Sequence, residues 1–196
     1  MTNPTDPDGL FNQEAIPQMD AVYRFALRLS GAPAEAEDLV QETYLRAWRA
    51  WEQYTPGTSC KSWLFTICRN VYLRRSERSQ RHDEIVRQET PNDARSISAQ
   101  VDVFQGYQNS DPEGDFFASL VDDDVLRAVD DLPVEFREAV VLSDVEGLPY
   151  LEVANVLGIP VGTVKSRIFR GRKLLQKALY DYALEMGYLS KPASQG

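Results

Sequence analysis

The stretch of residues 148–172 constrains the fold more than any other part of this chain. Four apolar side chains in its first half share one side of a helix: Tyr150, Val153, Ala154 and Leu157. Gly158 then stands where a helix end needs a residue tolerant of positive φ, and Pro160 supplies a fixed φ suited to the first turn of a second helix. The stretch therefore predicts two short helices joined by a tight turn.

The second helix of this pair has an apolar side and a polar side. Four residues are predicted to face inward, the glycine permitting close approach of another helix: Val164, Ile168, Gly171 and Leu175. Five are predicted to point outward: Thr163, Ser166, Arg167, Arg170 and Lys173. Residues 161–178 contain no acid and six cations: Lys165, Arg167, Arg170, Arg172, Lys173 and Lys177. Such a face suits the major groove of DNA and its phosphates, although a basic face can also be only a solvated one.

The charge of the chain is distributed unevenly. Residues 1–82 hold ten acidic and ten basic residues, and residues 125–196 hold nine of each. Residues 83–124 hold eleven acids and two bases, which accounts for the whole net charge of −9. The sequence therefore predicts two charge-balanced domains joined by an acidic connector.

Composition narrows the class of protein. With 196 residues, of which 43% are hydrophobic, the chain is long enough to bury real cores. No apolar run approaches the ~20 residues of a membrane span, and the acidic, proline-containing N-terminus is unlike a secretory signal, so we expect a cytoplasmic protein. Cys60, Cys68 and His82 are too few for a four-ligand zinc site, and we expect no cofactor. A regulatory disulfide is conceivable, but inert thiols are the more usual state in a cytosolic chain.

Two helices are predicted near the N-terminus, after a tail of residues 1–13 that has few apolar side chains and is expected to be mobile. The first begins near Ala15 and ends at Gly31 and Pro33. The second spans about residues 34–54, and its inward side consists of Ala36, Val40, Tyr44, Ala47 and Trp51. Its polar side carries Asp38, Gln41, Glu42, Arg46 and Arg49. By composition alone, that side is a solvated surface with i,i+4 ion pairs.

A third long helix is predicted after a loop at residues 55–58. Trp63, Leu64, Ile67 and Val71 follow its apolar side. Five cations, offset by Glu77 alone, follow in quick succession: Arg69, Arg74, Arg75, Arg78 and Arg81. Aromatic rings beside arginines suit single-stranded or melted DNA, because rings stack on bases while guanidinium groups hold phosphate. The position of Trp63 on the apolar side favours a place in the core over stacking on a base.

The remaining segments predict a connector and further helices. Apolar residues between positions 83 and 124 are scattered without a sustained period, which is typical of a linker. Apolar residues at helical spacing then follow: Val125, Leu126, Val129, Leu132, Phe136, Ala139, Val140 and Leu142. These are expected to pack behind the paired helices of residues 148–172, and the last helix is expected to continue to Gly187.

Three parts of the sequence resemble the extracytoplasmic-function (ECF) sigma factors of bacterial RNA polymerase. LPVEFREAVVLSDVEGLPYLEVANVLGIPVGTVKSRIFRGR, from Leu132 to Arg172, resembles the promoter-reading C-terminal region of that family. AEDLVQETYLRAWRAW is similar to the segment that docks on the clamp helices of the polymerase, and the pattern WL..I.RN is similar to the part that opens the −10 element. The resemblance implies an all-α protein with a polymerase-docking and −10 domain at residues 15–82, a linker at 83–120 and a −35-reading domain at 121–187.

The resemblance also implies roles for particular residues. Contacts with core RNA polymerase are expected from Asp38, Gln41 and Glu42. Contacts with the −35 element of promoter DNA are expected from Thr163, Lys165, Ser166, Arg167, Arg170 and Lys173. At the −10 element, residues 55–61 are expected to form a base-capturing loop, and contacts are expected from Thr55, Lys61, Asn70, Arg74, Arg75 and Arg78. Asn70 could instead brace its own helix, because asparagine often bonds to local backbone. The linker is either a disordered spacer or a segment threaded through the RNA-exit path.

Regulation is suggested by a narrower resemblance. DLVQETYLRAW, SDVEGLPYLEVANVLG and DYALEMGYL resemble the group of ECF factors held by a zinc-containing, thiol-oxidation-sensitive anti-sigma protein. An anti-sigma partner of that kind is therefore expected, and the chain itself is expected to be no enzyme.

Two other functions account less well for the sequence. An ordinary helix-turn-helix regulator would bind duplex DNA without polymerase, but it leaves the N-terminal half unexplained. An enzyme would depend on carboxylates such as Asp144 and Glu146 with His82, yet no nucleophile, metal set or phosphate-binding glycine loop accompanies them.

Overall fold

A computed structural model describes residues 7–89 and 123–185, and both ranges are helical without strands, which confirms the all-α prediction. Within the first range the helices are α1 (Pro7–Glu14), α2 (Met19–Ser30), α3 (Pro33–Arg49) and α4 (Cys60–Glu89), with short 3₁₀ turns at Ile16–Gln18 and Trp51–Gln53. Within the second they are α5 (Asp123–Asp130), α6 (Val134–Val140), α7 (Tyr150–Leu157), α8 (Val161–Ala178) and α9 (Tyr180–Glu185), with a π turn at Val141–Val145.

Helices α2, α3 and α4 pack around one apolar core. Phe25 of α2 and Phe65 of α4 are fully buried, and their ring centroids lie 5.0 Å apart. Leu39 of α3 is also buried in this core. Helix α2 ends at Gly31, whose φ of 72° is the left-handed conformation that glycine adopts without a steric cost, as the sequence predicts.

The N-terminal segment corrects one prediction. Residues 7–13 were expected to belong to a mobile tail, but they form most of α1. Phe11 is only 6% exposed, and its ring meets Trp48 and Trp51 edge-on at centroid distances of 5.0 and 4.9 Å. The prediction depends on the small number of apolar residues in the segment. The contacts of one ring, that of Phe11, with Trp48 and Trp51 are nevertheless enough to anchor this two-turn helix.

Helix α3 ends at Arg49, earlier than the predicted limit near residue 54. The chain then tightens into a 3₁₀ turn, which allows Trp51 and Tyr54 to lie side by side in the core. Their rings stack at 4.7 Å with an interplanar angle of 23°. This aromatic pair introduces the loop that leads into α4.

The paired helices at residues 148–172 form as predicted. Gly158 closes α7 with a φ of 66°, and Pro160 stands immediately before α8. The predicted inward residues of α8 are all buried: Val164, Ile168, Gly171 and Leu175. A Cβ at Gly171 would lie 2.6 Å from Val140 Cγ2, so the glycine permits the close approach of α6 to α8.

The two helical regions pack against each other, α2 against α6 and α4 against α7. The linker prediction at 83–120 is tested only at its start, where residues 83–89 continue α4, and residues 90–122 lie outside the described part of the chain. The predicted end of the last helix at Gly187 also lies outside it. Among the described helices, none has both the length and the apolar character needed to cross a membrane.

Candidate nucleic-acid and polymerase interfaces

Helix α8 presents a basic side to solvent. Lys165, Ser166, Arg170 and Lys173 are exposed, and Thr163 and Arg167 are half-buried. Ser166 Oγ donates to the carbonyl oxygen of Thr163 at 2.9 Å, which keeps that hydroxyl close to the helix. The predicted −35 residues are therefore brought together on one side of one helix, and this helix contains no acid to oppose phosphate.

Arg172 departs from the predicted set of phosphate-binding cations. It makes a bidentate ion pair with Asp144 of the π turn, with both N–O distances at 3.0 Å, and the two side chains are only 16% and 7% exposed. Residue 172 follows the buried Gly171, so its guanidinium lies along the inward edge of the helix. Arg172 therefore fastens α8 to the π turn and is not a phosphate clamp.

Helix α4 presents a second polar surface. Asn70, Arg74, Arg75 and Arg78 are exposed along it. Trp63 is half-buried, and its ring centroid lies 5.8 Å from that of Trp51 and 5.3 Å from that of Tyr54, which supports a place in the core for this side chain. The exposed arginines of α4 begin at Arg74, about three helical turns after Trp63, so they lie apart from this aromatic cluster.

The loop before α4 is closed by its own hydrogen bonds. The carbonyl oxygen of Thr55 accepts from Thr58 N at 3.2 Å and from Thr58 Oγ1 at 2.7 Å, around Gly57 at a φ of 84°. Ser59 Oγ then accepts from Ser62 N at 3.3 Å in the first turn of α4. Thr55 itself is exposed at the start of this turn.

The polar side of α3 also carries exposed apolar residues. Asp38 and Gln41 are exposed, Glu42 is half-buried, and Leu45 and Trp48 are 53% and 46% exposed. Gln41, Leu45 and Trp48 lie at i, i+4 and i+7 and line a shallow apolar groove. Large apolar side chains left in water at helical spacing indicate a surface that binds a protein partner.

One hydrogen bond and one electrostatic attraction connect the polar surfaces of α3 and α4. Arg75 Nη2 donates to the carbonyl oxygen of Asp38 at 3.2 Å. Glu42 accepts from Arg46 Nε at 2.6 Å, and this bond, with further attraction from Arg75, lowers the pKa of the Glu42 carboxyl. The predicted polymerase-docking residues therefore adjoin the predicted −10 residues.

The most buried charge between the two regions is Glu146, whose side chain is fully enclosed. It accepts from Arg24 Nε and Nη2 of α2 at 2.9 and 3.0 Å, and Lys61 Nζ of α4 lies 2.9 Å from Oε2, the oxygen that also accepts from Arg24 Nη2. The hydrogen bonds that Arg24 donates to Glu146 are the main cause of the raised pKa of Arg24. Lys61, a predicted −10 residue, is thus held by a carboxylate of the C-terminal region.

Three other side-chain pairs among the described residues cross the same boundary. Arg69 makes a bidentate ion pair with Glu138 at 3.0 and 3.2 Å. Ser62 donates to Glu152, and Arg28 pairs with Asp130. In each of these pairs the C-terminal region supplies the carboxylate, while Arg137 of that region donates to the carbonyl oxygen of Arg28 at 3.0 Å.

Comparisons with known proteins identify the family of this chain. A family model described as Sigma-70 region 2 matches residues 18–82, and one described as Sigma-70, region 4 matches residues 122–175. The ECF RNA polymerase sigma factor EcfG of Rhodopseudomonas palustris is 37% identical over 174 residues, which cover 88% of this chain and 86% of that protein. The chain belongs to the ECF sigma factors.

Two further relatives extend the comparison. The ECF RNA polymerase sigma factor SigE of Mycolicibacterium smegmatis is 40% identical over 178 residues, which cover 91% of this chain but only 63% of the length of SigE. The sigma factor RpoE of Bartonella quintana, solved in complex with the anti-sigma factor NepR, is 32% identical. The structural match covers 87% of this chain and 96% of the RpoE chain, with a TM-score of 0.63. Helices α2–α4 therefore belong to region 2 of the family, and α5–α8 belong to region 4.

The partners across the boundary were missed in the sequence. Arg24, Glu138, Glu146 and Glu152 carry no signal of pairing there, because each looks like an ordinary polar residue on an amphipathic helix. Leu45 and Trp48 could have been found, since they form a second apolar row that the predicted inward side of α3 leaves out.

The cysteines of this sigma factor are buried free thiols. Burial raises the pKa of Cys60 to about 11 and that of Cys68 to about 12, so both remain protonated at neutral pH. The carboxylates considered for an enzyme, Asp144 and Glu146, are both engaged by arginine.

Proposed function

We propose that this chain is a dissociable specificity subunit of RNA polymerase, which binds the core enzyme and directs promoter-specific initiation in the cytoplasm. It directs where transcription starts, and the core enzyme performs the polymerisation. The observation that carries the proposal is the presence, in one chain, of an acid-free basic helix in region 4 and a mixed polar and apolar docking surface in region 2.

Each surface has a role in this proposal. Helix α8 enters the major groove of the −35 element, where Arg167 and Arg170 reach base edges or phosphates. Asp38, Gln41 and Glu42 contact the core polymerase, and the apolar groove beside them adds Leu45 and Trp48 to that contact. Asn70, the loop at 55–61 and the exposed arginines of α4 hold the opened −10 element.

The packed arrangement of the two regions has to open for this function. The two promoter elements are centred about 25 base pairs apart, which is ~85 Å at ~3.4 Å per base pair. Two regions of about 60 residues in contact span only ~60 Å, judged from the usual size of compact domains. The pairing of Lys61 with Glu146 is therefore a feature of the free protein, and the core polymerase holds the regions apart.

An anti-sigma factor is the proposed regulator. The similarity to an RpoE protein solved with the anti-sigma factor NepR supports a partner of this class, since that sigma factor covers 87% of this chain. The zinc-containing, thiol-sensitive type remains the prediction made from the sequence. Copurification from cells of the native organism, followed by zinc analysis of the partner, tests that subtype.

In vitro transcription with core polymerase tests the proposed function. The complete chain should support initiation from a subset of genomic promoters, while core alone should not. A mobility-shift assay on an active promoter provides the comparison with a stand-alone helix-turn-helix regulator. Binding should be weak without core and strong with it, and tight operator binding by the free chain without any effect on transcription would favour the regulator.

A further inference from the structure

Helix α1 precedes the residues matched by the region 2 model, and it is nevertheless fixed to the region 2 core. Phe11 inserts between aromatic rings of α3 and the following 3₁₀ turn. Just after the helix, the Ala15 carbonyl oxygen accepts from Tyr44 Oη at 2.9 Å, and Ala15 is fully buried. The C-terminal end of α1 is therefore held in one place relative to the core.

Tyr54 connects this end of α1 to the loop before α4. Its hydroxyl lies 2.5 Å from Glu14 Oε2 of α1 and 2.9 Å from the carbonyl oxygen of Thr58 in the loop. A phenol has one proton to donate, so the carboxylate and the carbonyl share a single donor. Desolvation is the main cause that raises the pKa of Tyr54 to about 12, and the hydroxyl keeps its proton at neutral pH.

The Thr58 carbonyl lies at a sensitive point of the loop. Thr58 also donates twice to Thr55, and Gly57 beside it adopts a left-handed φ of 84°. A shift of this carbonyl would change the turn that presents Thr55 and the exposed residues around it. The ring of Tyr54 cannot move freely, because it is stacked on Trp51 and also contacts the tilted ring of Trp63.

We propose that α1 is a positioning element for −10 recognition, which sets the shape of the loop at residues 55–59 through the contacts of Glu14 and Thr58 with the Tyr54 hydroxyl. Glu14 and Tyr54 are positioning residues and do not contact DNA themselves. The inference rests on the proposed role of this loop at the opened −10 element. It adds a segment outside the matched region to the residues that determine promoter opening.

Two tyrosine variants form a matched test. Tyr54→Phe removes the hydroxyl shared by α1 and the loop, whereas Tyr44→Phe removes a hydroxyl that bonds to Ala15 and does not reach the loop. Holoenzymes reconstituted with each variant are titrated with a single-stranded oligonucleotide that carries the −10 sequence of a promoter mapped by transcription. Tyr54→Phe should weaken binding about fivefold, the effect of one hydrogen bond, while core affinity stays unchanged. Tyr44→Phe should bind the oligonucleotide as the wild type does, because Phe11 still anchors α1 and the Tyr54 hydroxyl keeps both of its partners.

Glu14→Gln is a conservative variant that should keep the contact between α1 and the Tyr54 hydroxyl. Its amide can donate to the phenol oxygen and leave the hydroxyl proton to Thr58, so oligonucleotide affinity should remain within about twofold of wild type. Equal losses in Tyr54→Phe and Tyr44→Phe, or a loss in Glu14→Gln as large as in Tyr54→Phe, would overturn the inference. If the wild-type holoenzyme itself does not prefer the −10 oligonucleotide to a scrambled one, the proposed role of the loop fails first.

Discussion

Lys61 Nζ of region 2 lies 2.9 Å from the Glu146 carboxylate of region 4 and donates to the carbonyl oxygen of the same residue at 2.7 Å. Glu146 of region 4 therefore binds Lys61, a cation that contacts DNA in the proposed function. Arg24 binds both oxygens of that carboxylate, so the contact joins two helices of region 2 at once. The position of Lys61 makes opening of the two regions a precondition for its contact with a promoter.

Glu146→Gln should shift the free protein toward an open form. The amide cannot neutralise Lys61 and Arg24, and both cations are partly exposed, so water can take over their solvation. We expect a larger radius of gyration by small-angle scattering and lower transfer efficiency between dyes on regions 2 and 4. The wild type should show the same change with rising salt, since ions screen such pairs.

Glu35→Gln is the control for the opening experiment. Glu35 is exposed in the first turn of α3, and no described contact of this residue reaches region 4. The radius of gyration and the transfer efficiency between the dyes in Glu35→Gln should equal those of the wild type at every salt concentration. If Glu146→Gln behaves identically to Glu35→Gln, other contacts hold the regions together.

Arg167→Ala and Arg170→Ala should weaken binding of the holoenzyme to the −35 element while leaving its affinity for core intact. A lost bidentate base contact costs ~1–3 kcal/mol and relaxes sequence preference at one position. A lost phosphate contact lowers the salt dependence without changing preference. Binding to duplexes with single-base changes, measured at several salt concentrations, distinguishes the two. Unchanged affinity in both variants would contradict the assignment of α8.

Arg172→Ala should behave differently from these two variants. Its guanidinium lies against Asp144, and removal leaves a carboxylate only 7% exposed without this partner. Breaking such a pair costs about 3 kcal/mol of folding free energy. The midpoint of urea unfolding should fall clearly in Arg172→Ala and hardly at all in Arg167→Ala.

Charge reversal at Asp38 and Glu42 tests the docking surface. The double variant Asp38→Lys, Glu42→Lys should lose affinity for core sharply, because two carboxylates beside the apolar groove become cations. Stability should change by only ~0.5 kcal/mol per site, since Asp38 is exposed and the Glu42–Arg46 pair is near the surface. Glu52→Lys, an exposed reversal outside α3, is the control. A normally melting double variant that binds core as tightly as Glu52→Lys would place the docking surface elsewhere.

Gly171→Ala should destabilise region 4 although alanine is the better helix former. Alanine gains about 1 kcal/mol of helix propensity, but its Cβ would meet Val140 Cγ2 at 2.6 Å inside a packed core. Val140 is 2% exposed and its β-branched side chain is stiff, so overpacking should outweigh the gain by ~1–2 kcal/mol. Thermal unfolding of the single variant Gly171→Ala shows whether stability falls or rises. A raised melting temperature would mean that α6 moves away from α8 at little cost in free energy.

The parts of the fold that depend on local periodicity could be predicted from the sequence. Gly158 and Pro160 specify a turn, and Val164 with Ile168 specifies a buried side, because each signal lies within two helical turns. The inward position of Gly171 also follows from periodicity. Family resemblance supplied the roles of exposed residues such as Asp38, which periodicity alone leaves as solvated side chains.

Contacts between distant segments could not be predicted in the same way. Glu146 and Arg24 are 122 positions apart, and nothing in either local pattern specifies the other. The prediction that Arg172 binds phosphate is wrong, because charge alone does not reveal whether a long side chain points to solvent or folds back to an acidic residue of its own protein. Phe11 was missed because its stabilising partners belong to α3 and the 3₁₀ turn after it.

Asn70→Ala tests whether α4 acts on opened DNA. Asn70 is exposed on α4 next to Arg69, whose guanidinium is held by Glu138 in the packed form, and about one turn before Arg74. If its amide meets a base edge, the variant should keep the wild-type melting temperature and duplex −35 binding. Open-complex formation, followed by permanganate reactivity, should fall, and a template already mismatched at −10 should restore part of it. If Asn70 instead braces its helix, the protein loses stability and the defect persists on the mismatched template. Because its exposed side chain lies outside the described contacts between the regions, a loss confined to the paired template would locate the role of Asn70 at strand opening.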